Sequence, residues 1–109
     1  MKMKIKYMLL GTALLFPLEG SAQETLVNEK ELSVAEKLIE EHKAQKALEI
    51  LLPLAELNNA DAQKLLGVLY NFGGEGVSVD YQKAREWYLK AFQNGNSEAA
   101  NHLGSLYIN

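Results

Sequence analysis

The sequence predicts an all-α protein of five helices joined by short connections. Apolar residues recur at the i, i+3, i+4, i+7 spacing that places them on one helix face, as at Ala62, Leu65, Leu66 and Leu69. No stretch alternates between apolar and polar residues for long enough to indicate a strand. Helices separated by such short connections run antiparallel to their neighbours. We expect helices at residues 31–41, 44–57, 60–72, 80–93 and 97–108.

The second observation behind this fold class is an internal repeat of 37 residues. Residues 46–67, KALEILLPLAELNNADAQKLLG, align without a gap on residues 83–104, KAREWYLKAFQNGNSEAANHLG. The match continues from Leu69-Tyr70 to Leu106-Tyr107. A period of this length is the sequence signature of repeat architectures, in which each unit is one supersecondary element. Because both copies have a helical period, we expect that unit to be helical.

Residues 1–22 precede the predicted helices and have the composition of a secretory signal. Three lysines among the first six residues are followed by an apolar stretch at residues 7–18, in which Pro17 is expected to break a helix. Gly20 and Ala22 are the small residues that a signal peptidase requires. A membrane span would need about 18 or more apolar residues. We therefore expect cleavage after Ala22 and no stable membrane anchor in the mature protein, which would be periplasmic or secreted.

The remaining residues, 23–109, are expected to form one domain. They carry eight Lys and Arg against 13 Asp and Glu, a net charge of −5. This negative charge, without a basic stripe, argues against a nucleic-acid partner and against anionic membrane surfaces. The chain contains no cysteine, which excludes disulfides, a thiolate nucleophile and cysteine-ligated metals. Such a domain depends on a small hydrophobic core.

The first two predicted helices have the weaker signals. Residues 23–28 form a polar lead-in, and the helix at residues 31–41 carries a solvated face of charged side chains such as Glu36 and Glu40. Pro53 lies inside the second helix, where proline removes a backbone hydrogen bond and is expected to kink the helix.

Three glycines, Gly73, Gly74 and Gly76, separate the third and fourth helices. Since glycine readily adopts positive φ, Gly73 or Gly74 is expected to end the third helix. Asp80 is expected to cap the N-terminus of the fourth helix, and Gly95 to end it in the same way.

Small residues mark the places where helices are expected to approach closely. Ala62, Gly67 and Ala84 leave room that Trp87 and Tyr88 fill. Trp87 is accordingly assigned to the core and not to a ligand platform. Packing thus explains the spacing between the three glycines and the Trp87-Tyr88 pair.

The pattern LG-x-LY…G-x-GV-x-x-D-x-x-KA-x-x-WY-x-KA…G…A…LG-x-LY resembles the Sel1-like repeat family, which is tetratricopeptide-like. The resemblance covers residues 61–107, whereas residues 46–60 fit more loosely because Ile50-Leu51 replaces Trp-Tyr. The resemblance implies a short α-solenoid of antiparallel helical hairpins, with about two repeats and a terminal half-repeat. The implied units are residues 31–59, 60–95 and 96–109.

The resemblance also implies a protein–protein interaction module. An exported member of this kind would act as an adaptor, scaffold or inhibitor in the bacterial envelope, for example as an immunity-type inhibitor or a regulator of a sensor. Stacked hairpins present the first helix of each pair on a concave face, so we expect a protein partner to bind there. The candidate partner-binding residues are Lys64, Val68, Asn71, Asn101, Ser105, Leu106 and Ile108.

No residue pattern supports catalysis, a cofactor or a metal site, and we expect a protein that is not an enzyme. The histidines are His42 and His102, and no serine lies at a spacing that indicates a base in reach. His102 aligns with Leu65 in the repeat, which favours a packing position. The glycine loop contains Glu75 and follows no strand, so we do not expect phosphate binding.

One alternative from another class is a peptidoglycan- or β-lactam-directed enzyme or binder. Secreted relatives with such properties carry cysteine pairs in each repeat, and the absence of cysteine here weakens this alternative.

The last helix is expected to expose part of an apolar edge at Leu106, Tyr107 and Ile108. The repeat pattern would continue into a further glycine loop, whereas this sequence ends at Asn109. We expect this edge to be a contact surface, either in a homodimer through the C-terminal helix or for the protein partner.

Overall fold

A computed structural model describes the backbone of residues 17–108 and the side chains of residues 26–106. The chain divides into two units, Met1–Lys30 and Glu31–Asn109. The described residues form five helices, α1 (Pro17–Glu40), α2 (Ala44–Glu56), α3 (Ala60–Phe72), α4 (Tyr81–Gln93) and α5 (Glu98–Ile108). Within residues 17–108 there is no strand, which confirms the all-α fold class. No helix in that range is long and apolar enough to cross a membrane.

The start of α1 corrects the sequence-based expectation. The first helix was expected to begin at residue 31, after a polar lead-in at residues 23–28, but α1 begins at Pro17 and includes that lead-in. Proline is tolerated in the first turn of a helix because the N–H that it lacks has no intrahelical acceptor there. The rest of the expected signal segment, residues 1–16, lies outside the described residues.

The other helices begin and end within one residue of their expected bounds. Asp80 caps α4 as expected, since its Oδ1 accepts a hydrogen bond from the Lys83 backbone N–H at 3.0 Å. The repeat is also visible in equivalent caps at α3 and α5: Asn59 Oδ1 accepts from Ala62 N–H at 2.9 Å, and Asn96 Oδ1 accepts from Ala99 N–H at 3.1 Å. The hairpins of Glu31–Asn109 therefore form a short α-solenoid whose loops repeat at the level of single hydrogen bonds.

Two clusters of buried side chains hold these hairpins together. The larger one joins the end of α1, α2, α3 and the loop residue Val77. The smaller one joins α4 to α5 through Ala84, Tyr88, Ala91 and Ala99. Tyr88 is the largest of these and is completely buried, so the second cluster depends on one aromatic ring.

The close approach expected at Gly67 is confirmed. A Cβ atom at this position would lie 2.4 Å from Cδ1 of Tyr88, too near for any side chain. Trp87 differs from its expected place in the core: it is half-buried and packs against the rim of the larger cluster. Its neighbour Tyr88 lies about 100° further round the helix and packs against Gly67 in the smaller cluster.

The glycine loop after α3 folds over the beginning of α2. Gly73 ends α3 with a φ of +68°, and Gly74 and Val77 exchange backbone hydrogen bonds of 2.9 and 3.0 Å. The Glu75 carbonyl then accepts from Gln45 N–H at 3.0 Å, and the Glu75 N–H donates to the His42 carbonyl at 3.1 Å. This loop therefore ties one repeat to the preceding one.

Candidate functional site

A cleft of about 390 Å³ lies where the last turns of α3 and α5 meet the first turns of α4. Two of its side chains are exposed aromatics, since Phe72 is 70% exposed and Tyr81 is 59% exposed. We call it the α3–α5 cleft, and its lining residues are Asn71, Phe72, Tyr81, Arg85, Ser105 and Leu106. Residues of both repeat copies line this cleft.

The polar groups of the α3–α5 cleft suit binding better than catalysis. Arg85 is the single charged residue among those that line it, and its Nη2 donates a hydrogen bond to Oε1 of Gln82. Ser105 shares the cleft with no carboxylate or imidazole to serve as a base. The cleft thus offers aromatic surface, a guanidinium, an amide and a hydroxyl to a ligand.

Asn71 connects this cleft to the buried Tyr88. The Tyr88 hydroxyl has no hydrogen-bond partner within the described part of the chain. Burial raises the pKa of this hydroxyl above its usual value, and the Asn71 side chain acts on the pKa in the opposite direction. A buried hydroxyl without a partner is costly, so a hydrogen bond from the neighbouring Asn71 side chain would stabilise the fold.

The seven residues predicted to bind a partner fall into separate groups. Asn71, Ser105 and Leu106 meet in the α3–α5 cleft. Lys64 is largely buried and forms a salt bridge of 3.2 Å with Glu98, and Val68 packs against the Tyr88 cluster, so both have packing roles. The remaining two are Asn101, which is exposed, and Ile108, whose side chain lies outside the described range.

Sequence reasoning missed a row of side chains on α4, in which Arg85 is half-buried and the other three are exposed. Tyr81, Arg85, Leu89 and Phe92 lie within about 80° of one another at 100° per helical residue. Leu89 is 46% exposed and Phe92 is 49% exposed. We call this row the α4 stripe, and it shares Tyr81 and Arg85 with the cleft. The 37-residue repeat held a usable signal, because alanine stands at the positions equivalent to Tyr81 and Phe92.

The opposite side of α4 faces α2 across two shallow grooves. The first, of about 330 Å³, brings Leu52 together with Trp87, and the second, of about 230 Å³, brings Leu48 together with Lys83. Lysine side chains lie over the aromatic rings here: Lys90 Nζ is 4.9 Å from the ring centroid of Trp87. These grooves form the seam between consecutive repeats.

His102 packs against Tyr88, as its alignment with Leu65 predicted. The two rings are stacked, with centroids 4.9 Å apart and an angle of 8° between their planes. Burial lowers the pKa of His102, the positive charge of Lys64 lowers it further, and Glu98 opposes both. Among the described side chains there is no group of three or more His, Asp or Glu that could hold a metal ion.

Gln63 is a second residue that sequence reasoning missed. It is buried on α3, its Nε2 donates to the Ala55 carbonyl at 3.0 Å, and its Oε1 accepts from Asn94 Nδ2 at 2.9 Å. No pattern in the sequence indicated it, because the equivalent position in the second copy is Ala100. Gln63 holds the ends of α2 and α4 against α3, and this fixes the direction in which α4 presents its stripe.

Comparison with known proteins finds a matching family and a similar protein, and the family match includes the α4 stripe. Residues 60–96 match the Sel1 repeat family, a stretch that includes α3, the glycine loop and α4. A segment of 53 residues is 38% identical to the ERAD-associated E3 ubiquitin-protein ligase component HRD3A of Arabidopsis thaliana. That segment is 49% of this chain but only 8% of the relative's length. No solved structure matches the chain. Sel1 repeats mediate protein–protein interactions.

Proposed function

We propose that the chain, through its Sel1 repeat, is an exported interaction module of the bacterial envelope that binds a protein partner. The partner is proposed to occupy the α3–α5 cleft and the adjoining α4 stripe. The observation that carries this proposal is the pair of exposed aromatics, Phe72 and Tyr81, that line a cleft together with Arg85. Aromatic and arginine side chains are the residue types enriched at protein interfaces and at their energetic centres.

The α4 stripe supports the same assignment. Leu89 and Phe92 continue the apolar surface from the cleft along one side of α4, and contiguous apolar surface on a small protein marks an interaction site. The cleft has binding groups but no nucleophile paired with a base. This composition favours an adaptor, scaffold or inhibitor over a peptidoglycan- or β-lactam-directed enzyme.

Binding can be tested by capture of partners from an envelope extract on immobilised protein. We expect Phe72→Ser to reduce the captured partner by about tenfold or more, as the removal of an interface anchor does. Leu57→Ser is the matched control, because Leu57 is 80% exposed but lies in the connection after α2. Equal capture by both variants would contradict the proposal, as would hydrolysis of a β-lactam or of muropeptides by the purified chain.

Export is part of this proposal and rests on the basic, apolar and small-residue order of residues 1–22. We expect an envelope fraction to contain a product that begins at Gln23, as determined by intact mass. A full-length mass confined to the cytosol would exclude the envelope role while leaving the interaction surface in place.

A further inference from the structure

The α4 stripe has an equivalent face on α2, and that face is covered by other parts of the chain. A shift of 37 residues places Tyr81, Arg85, Leu89 and Phe92 on Ala44, Leu48, Leu52 and Ala55. Ala44 and Ala55 are buried, and Leu48 and Leu52 are half-buried against the larger core cluster. The structure of one repeat therefore shows how a following helix docks on this face.

Two features of the following repeat cover the face of α2. The glycine loop covers its beginning, where a Cβ on Gly74 would lie only 2.8 Å from Cβ of Ala44. The helix α4 lies along its middle across two shallow grooves, one lined by Leu48 and Lys83 and the other by Leu52 and Trp87. Because α2 and α4 are separated by one antiparallel helix, they run in the same direction. A helix docked on α4 in the same register would also run parallel to it.

The α4 stripe departs from the α2 face at three of its four positions. Tyr81 and Phe92 replace alanines. Gly74 lies so close to Ala44 that a tyrosine at this position would leave no room for the glycine loop. Arg85 replaces Leu48, which lines a groove together with Lys83 of α4. A helix docked on α4 with a lysine at the position equivalent to Lys83 would therefore be repelled by Arg85. Leu89 alone keeps the character of its equivalent, Leu52. This face is therefore unsuited to a copy of α4 and its glycine loop.

We propose that the α4 stripe docks a helix of a partner protein that carries an acidic residue one turn before an aromatic residue. The acidic side chain would face Arg85, and the aromatic side chain would face Leu89, since Trp87 shares a groove with Leu52. The spacing follows from Lys83 and Trp87, which are four residues apart. This inference rests on the proposed function and adds to it the partner's chemistry, its orientation and its register.

Charge complementarity supports an acidic partner segment over the alternatives. Arg85 is the one charged residue that lines the cleft, within a chain whose net charge is −3. An acidic helix would be attracted to this point, although the chain as a whole would repel it weakly. A second copy of the chain has its own α4 already packed on α2, and that helix has Lys83 where an acidic residue is required.

The test uses two stapled helical peptides that differ at one residue. Both carry Trp on an alanine-rich helix, and four residues before it one has Glu and the other has Lys. We expect the Glu peptide to bind about 1.5- to 5-fold more tightly than the Lys peptide, the range for one exposed charge pair. Backbone NMR shifts should move at Tyr81, Leu89 and Phe92 and not at Leu57.

Charge reversal on the protein distinguishes a specific register from general attraction. Arg85→Glu should invert the preference, so that the Lys peptide binds more tightly than the Glu peptide, whereas Lys43→Glu should leave the preference unchanged. Leu89→Ser, which adds no charge, should weaken both peptides equally, with helicity by circular dichroism as the control for folding. An unchanged preference in Arg85→Glu, or shifts that map elsewhere, would overturn the inference.

Two further outcomes separate this inference from the proposed function. If Phe72→Ser loses its captured partner while Leu89→Glu and Arg85→Glu retain it, the cleft binds a partner but the helix and its register are wrong. If light scattering shows a dimer that Leu89→Glu converts to a monomer, the occupant of the stripe is a second copy and the acidic partner helix is excluded.

Discussion

The hairpin of α2 and α3 and the hairpin of α4 and α5 are copies of one repeat that differ in what covers them. The first is enclosed by the glycine loop and by α4, and alanine stands where the covering backbone comes closest, at Ala44. The second has Tyr81 at the equivalent position, and it is exposed. The helical period is the same in both hairpins, and so is the cap before the second helix of each, made by Asn59 and Asn96. The size of the side chain at a few contact positions therefore distinguishes an internal seam from a surface on which something else can bind.

The largest expected effect contrasts two equivalent glycines. Gly67→Leu should lower the free energy of unfolding by about 1–3 kcal/mol, because any side chain at this position overlaps the buried ring of Tyr88. At Gly104, the equivalent residue of α5, a Cβ meets no described atom within 4 Å. Gly104→Leu should instead stabilise the helix by up to about 1 kcal/mol. Urea unfolding of both variants measures the difference, and equal destabilisation would show that the two hairpins are packed alike.

A smaller effect is expected from the caps that begin α2 and α4. Asp80→Ala should lower the free energy of unfolding by about 1 kcal/mol, because the Lys83 N–H loses its acceptor. Lys43 occupies the equivalent position before α2 and makes no side-chain cap, so Lys43→Ala serves as the control. Thermal unfolding should resolve the two variants, and a similar loss in both would contradict the capping account.

The smallest expected effect is a pH dependence that only the second hairpin has. The pKa of His102 is lowered in the folded protein, so the unfolded chain binds its proton more readily. The stabilising contribution is present above the unfolded pKa of about 6.5 and is lost as the pH falls through the range below it. His102→Leu, which introduces the residue found at the equivalent Leu65, should abolish this part of the pH dependence. If unfolding of the variant and of the unaltered protein changes identically between pH 7 and pH 5, His102 is not responsible.

Local rules predicted the repeat region well and the candidate site only in part. The bounds of α3 and the cap at Asp80 follow from interactions within a few residues of sequence. The beginning of α1 did not follow, because proline at Pro17 is compatible with either the interior break or the first turn of a helix. Caps and helical period, which depend on residues a few positions away, therefore predicted helix bounds better than a single proline did.

The candidate site required knowledge of tertiary neighbours. Asn71, Ser105 and Leu106 were anticipated because they lie on α3 and α5, the first helices of the implied units at residues 60–95 and 96–109. Phe72 and Arg85 were not, because the helical period shows that a residue lies on a face but not whether another helix covers that face. The 37-residue alignment shows that α2 has alanine where α4 has Tyr81 and Phe92, but not that the α2 face is covered.

The buried amide of Gln63 has a consequence for how the protein opens. It is hydrogen-bonded both to the end of α2 and, through Asn94, to the end of α4, so separating any one of the three helices strands a polar group at a cost of about 1–3 kcal/mol. Those helices should thus behave as one cooperative unit, with amide protons that exchange together. At the position equivalent to Gln63, α5 itself has Ala100, which is exposed and offers no such tie. Helix α5 lacks this amide tie and is therefore expected to open before the other helices, and it lies beside the surface proposed for binding.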